Sequence, residues 1–162
     1  MLAPWRLTSG TAKLGVMRGT IVCDVTEPLA GRSAAEFAGA IGARVGLRLV
    51  LVHVVSVADD HAASDGRSAA DRTLEAIALE LGHDAEQRVA VGNHVDALAR
   101  VASEEGADVI VIGARPAGLG GRNLRGALAR NLEAATSVPV LVAPPSTRKR
   151  SDRRLAAAAD GD

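Results

Sequence analysis

Short apolar runs rich in β-branched residues alternate along the chain with stretches whose apolar positions recur every three or four residues. The first run, "GTIVCDV" from Gly19 to Val25, predicts a strand. Ala34, Phe37, Ala38, Ile41 and Val45 then repeat at helical spacing up to Gly46. "LRLVLVHVV" (Leu47 to Val55) predicts a second strand, and the polar stretch from Ser56 to Gly66 a loop. Ala70, Leu74, Ile77, Ala78 and Leu81 mark a second helix, closed by Gly82. "AEQRVAV" (Ala85 to Val91) alternates as a strand near a sheet edge does. Asn93 is suited to cap a third helix carrying Leu98, Val101 and Ala102 and closed by Gly106. "ADVIVIG" (Ala107 to Gly113) gives a fourth strand, Leu124, Leu128, Leu132 and Ala135 a fourth helix, and "VPVLVAPP" (Val138 to Pro145) a fifth strand.

Five strands alternating with four helices predict an α/β fold. The second and fourth strands are apolar on both sides, which requires helices on both faces of a parallel sheet. Right-handed crossovers then restrict the topology to a doubly wound five-stranded parallel sheet, Rossmann-like, in a single domain. That domain is expected over residues 19–145. Residues 1–18 read as a disordered or non-native lead, with Met17 a candidate start, and residues 146–162 as a disordered basic and alanine-rich tail.

Composition narrows the function classes. Lys and Arg together number 19, as do Asp and Glu, so the chain is neutral and argues against a polyanionic partner. Trp5 and Phe37 are its aromatic residues, too few for base stacking on single-stranded nucleic acid. Cys23 is the single cysteine, which excludes an internal disulfide or multi-cysteine metal site and suits a reducing, cytoplasmic setting. No apolar run has the length to span a membrane.

Ligands of open parallel sheets bind beyond the C-terminal ends of the strands, where the winding reverses. Asp24 is the one carboxylate among the predicted strand ends. It carries a structural alternative, in which it caps a helix or accepts loop amides. The first strand is followed by "DVTEPLAG", not by a dinucleotide glycine fingerprint, and no P-loop, nucleophile elbow or zinc-spaced histidine pair occurs. His53 reads as a structural histidine, His83 and His94 as surface residues at helix ends, and Cys23 as an inert buried hydrophobe. The remaining candidate for chemistry is the glycine-rich loop "GARPAGLGGRNLRGALARN" after the fourth strand.

A first strand ending in Asp24, a second containing "HVV", "GNHVDALARVASEEGADVIVIG" before the glycine loop and a closing "VPVLVAPP" together resemble the universal stress protein family, over about Gly19 to Pro145. The resemblance implies the fold of the adenine-nucleotide alpha hydrolases, binding of ATP, with magnesium as its companion ion, and a role in stress response through dimerisation and partner binding. It implies that Asp24 and the backbone of Val54 contact the nucleoside. It further implies a homodimer through the last strand, Val138 to Ala143, with a protein partner of unknown identity.

Nucleotide-binding members of that family carry G-x2-G-x9-G-[ST] after the fourth strand, which gives backbone donors and a hydroxyl to phosphate. Here the motif begins at Gly113 and its third glycine is Gly126. Its second glycine is replaced by Pro116, its hydroxyl residue by Ala127 and a second hydroxyl by Ala129. Proline has no N–H and cannot take a positive φ. These changes predict nucleotide binding weaker by roughly a hundredfold or more. Gly118, Gly120 and Gly121 keep the loop permissive, and Arg115, Arg122, Arg125 and Arg130 bring charge that either substitutes for lost donors or is simply solvated. The binding set expected for a nucleotide is thus Asp24, Val54, Gly113, Arg115, Gly118, Gly126 and Ala127. The alternative is a dimeric interaction module that binds no nucleotide. No catalytic residue is identified, and slow ATP hydrolysis is the most that the resemblance implies.

Overall fold

The computed structural model describes residues 19–57, 63–82, 84–114 and 124–146. The elements run β1 (Thr20–Asp24), α1 (Pro28–Val45), β2 (Arg48–Val55), α2 (Ala63–Leu81), β3 (Glu86–Val91), α3 (His94–Glu104), β4 (Val109–Gly113), α4 (Leu124–Ala135) and β5 (Val140–Ala143). The expected lead (residues 1–18), most of the expected tail (147–162) and the body of the glycine loop lie outside the described residues.

The five strands form one parallel sheet in the order β3-β2-β1-β4-β5. The chain winds outward from β1 through β2 to β3, then returns past β1 to build β4 and β5. Winding therefore reverses between β1 and β4, the position at which such sheets bind ligands. All five residues of β1 are buried, as its central place demands. β3 and β5 are the edges, in line with the edge-like alternation of the first.

Alternation along the strands divides the interior into two cores. Ile21, Cys23, Leu49, Leu51 and Val111 pack with Ala34, Ala35 and Ala38 of α1 and Leu74 and Ile77 of α2. Val22, Val50, Val52, Ile110 and Ile112 pack with Leu98 and Val101 of α3 and Leu132 of α4. The small residues on α1 let that helix lie close to the sheet, and Gly31 approaches so near that an added Cβ would fall 2.6 Å from the Val25 Cα.

The helix ends follow sequence chemistry. Pro28 opens α1, where a missing N–H costs nothing. Gly46 closes it in the left-handed conformation, φ 76°, with its N–H on the Gly42 carbonyl. The Asn93 side chain accepts from the N–H groups of Val95 (3.0 Å) and Asp96 (3.4 Å), the cap expected of it. Some boundaries differ from expectation: β4 starts at Val109 and not Ala107, and β5 spans Val140–Ala143 and not Val138 to Pro145. α2 begins at Ala63, inside the stretch read as loop up to Gly66. Gly66 looks like turn punctuation, yet it lies inside α2, where a Cβ would come within 3.1 Å of Val55 Cγ1.

The end of the sheet opposite the strand C-termini is clamped by ion pairs. The Glu105 side chain, 12% exposed, accepts from Arg48 Nη2 at 2.7 Å and from Arg88 Nη1. Arg48 also forks onto both Glu86 oxygens at 2.8 Å, and Arg88 reaches Glu104 at 2.6 Å. The hydrogen bond from Arg48 holds the Glu105 carboxyl below its ordinary range, partial burial opposes this, and Arg88 adds to the lowering. A depressed pKa contributes stability at pH values above the ordinary carboxylate value and loses it as pH falls through the folded one. Glu105→Gln is therefore expected to cost about 1–2 kcal/mol at pH 7. In denaturant titrations the gap to wild type should close as pH falls below 4.5. A gap unchanged at pH 3 would show that the loss is one of packing.

Candidate functional site

At the reversal point, β1 delivers Asp24 to the C-terminal rim of the sheet. Its partner in register on β2 is Val52, and the two residues beyond on β2 are His53 and Val54. Val22 of β1 faces the α3–α4 core, so the alternation of the strand directs Asp24 to the same side. His94, the first residue of α3, stands over it. The Asp24 side chain is 7% exposed and that of His94 is 35% exposed, with Nε2 to Oδ2 at 2.9 Å.

The other carboxylate oxygen is engaged by the chain turning out of β1. Asp24 Oδ1 accepts from the Thr26 N–H at 3.0 Å and from Thr26 Oγ1 at 2.6 Å. Thr26 Oγ1 in turn accepts from the Val54 N–H at 2.9 Å. The loop-amide role weighed for Asp24 is thus real, and it coexists with its position at the reversal point. Burial opposes ionisation of Asp24. The hydrogen bond and charge of His94, together with both donors of Thr26, outweigh that penalty and leave its pKa lowered.

Sequence reasoning read His94 as a surface residue at a helix end. The structure corrects this: the Asn93 cap turns the first residue of α3 inward, onto the buried carboxylate of another strand. Nothing in the spacing signals a contact between residues 70 positions apart. His53 has a different environment. Its Nδ1 is buried and lacks a hydrogen-bond partner among the described residues. Burial pushes its imidazole below the ordinary value, the Asp24 charge pulls the other way, and His94 lowers it again. Cys23 is fully buried, which raises its thiol pKa well above normal.

The second half of the expected site lies across the sheet, after β4. Gly113 ends β4, and Gly126 and Ala127 lie in the first turn of α4, all three within the described residues. Arg115, Pro116, Gly118 and the rest of the glycine loop to residue 123 lie outside them. Ala129 packs against the α3–α4 core. Among the described residues, no group of three or more His, Cys, Asp or Glu is placed to hold a metal ion, and no helix is long and apolar enough to cross a membrane.

The profile of the Universal stress protein family matches residues 17–144. The chain belongs to the universal stress protein family. Solved structures of the family share its fold. A universal stress protein crystallised in complex with cAMP superimposes with a TM-score of 0.66 at 23% identity, over 79% of this chain and 98% of that one. A universal stress protein from Archaeoglobus fulgidus gives 0.63 at 21% identity, over 77% and 98%. One from the same organism in complex with dAMP gives 0.56 at 19%, over 79% and 99%. No curated protein matches the sequence.

In this member of the family, Gly113 has a reason to be glycine that involves no ligand. A Cβ there would lie 1.8 Å from the Ala30 carbonyl oxygen of α1. Alternation along β4 puts Gly113 on the α1 side of the sheet, with Val111, while Ile110 and Ile112 face α3 and α4. Gly113→Ala is therefore expected to push α1 off the sheet and cost about 3 kcal/mol, measurable as a shift of the urea midpoint. Wild-type stability in the variant would mean that α1 moves freely here.

Proposed function

We propose that this universal stress protein binds an adenine nucleotide at the reversal point and acts in a stress response as a dimer that engages a protein partner. The observation that carries the reading is Asp24, a buried carboxylate favoured in its charged form at the strand end where parallel sheets bind ligands. The complexes of two family members with cAMP and dAMP support an adenine ligand. In this reading Asp24 and the backbone of Val54 meet the nucleoside. Gly113, Gly126, Ala127, Arg115, Gly118 and the start of α4 meet the phosphates, where a helix N-terminus favours anions. ATP, with magnesium bound to its phosphates, is the ligand proposed.

Calorimetric titration with ATP and magnesium is the direct test, with Asp24→Ala as control. Binding in the micromolar to sub-millimolar range, lost in the control, is the expected result. No heat up to millimolar ATP would overturn the nucleotide reading.

A second reading, a dimeric interaction module without nucleotide, has its own support. Pro116 and Ala127 remove phosphate donors. β5 is an edge strand, and along it Leu141 and Val142 are 42% and 46% exposed. An apolar edge with unpaired backbone groups calls for cover, and the same strand of a second copy supplies it in both readings. Leu141→Lys should give a monomer or insoluble protein in sedimentation velocity. A soluble dimer in the variant would place the interface elsewhere.

A further inference from the structure

Both carboxylate oxygens of Asp24 and the N–H of Val54 are already engaged by the protein itself. Asp24 Oδ1 holds the N–H and hydroxyl of Thr26, at 3.0 and 2.6 Å. Asp24 Oδ2 holds His94 Nε2 at 2.9 Å. The Val54 N–H is held by Thr26 Oγ1 at 2.9 Å. Of these contacts, the Thr26 pair belongs to the turn directly after β1 and closes a local ring, which fixes it. The His94 bond is different in kind, since it joins a half-exposed side chain on the first residue of α3 to a carboxylate that is 7% exposed. His94 is thus the more exposed partner of the Oδ2 bond.

We propose that His94 is an internal occupant of the nucleoside subsite, a side chain that must leave Asp24 before a ligand hydroxyl or amino group can reach it. The inference rests on the nucleotide reading above for the identity of the ligand. It assigns His94 as the residue that sets the affinity of the site through competition. A hydrogen bond between an imidazole and a carboxylate is charge-assisted, so the ligand's own bond to Oδ2 replaces an interaction of similar strength and gains little from it. Removing His94 leaves Oδ2 open to the ligand. His94→Ala is then expected to bind adenine nucleotide roughly tenfold more tightly than wild type, the ratio that corresponds to one such bond. His94→Gln keeps a neutral donor of similar reach and should fall between the two.

The experiment is calorimetric titration of wild type, His94→Ala and His94→Gln with AMP and with ATP plus magnesium. It is paired with imidazole nitrogen NMR of the wild type during the AMP titration. Because Asn93 and not His94 caps α3, the alanine variant keeps the helix start, and its circular dichroism should match wild type. The proposal is upheld if the alanine variant gains affinity and the wild-type His94 Nε2 signal shifts as AMP binds. If wild type binds and the alanine variant binds equally or more weakly, His94 is no competitor while the nucleotide reading stands. If only the alanine variant binds, the competitor is established and the wild-type nucleotide reading fails. If neither binds, both fail. Should the alanine variant not fold, an unmoved Nε2 signal in saturated wild type overturns the proposal by itself.

Discussion

A carboxylate buried beside apolar strands is stable as an anion only if donors surround it, and the rim of this sheet is organised to provide them for Asp24. The turn after β1 folds back so that Thr26 can donate twice, and α3 begins where its first side chain reaches the second oxygen. Thr26 then receives the Val54 amide, which ties the end of β2 to the same point. One charge thereby fixes the relative positions of β1, β2 and α3 at the place where the winding reverses. At the other end of the sheet, Glu105 has the corresponding role for Arg48 of β2 and Arg88 of β3. The two ends are thus held by acids with lowered pKa values.

The architecture was legible because it rests on periodicities that local sequence carries. Apolar strands, helices at three-to-four spacing and glycines after three helices each report a neighbourhood of a few residues. Where they misled, the cause was tertiary. Gly66 has the look of a loop residue because glycine is common in turns, but here it lies inside a helix, close against Val55. The site was half legible. Asp24 could be picked out as an acid at a strand end, and its bond to Thr26 spans two residues. His94 could not, because its significance depends on how α3 crosses the sheet and on nothing in its flanking sequence.

The same separation of local and tertiary causes applies to the glycine motif. Gly113 is required by the Ala30 carbonyl of α1. Positions 116 and 127, on the resemblance, are where the family places phosphate donors. A motif that treats all its positions as one signal combines these two demands. If selection for a ligand were relaxed, position 113 would stay locked by steric exclusion while 116 and 127 drifted. Retention of the first glycine is then no sign of a ligand by itself, since helix packing alone demands it.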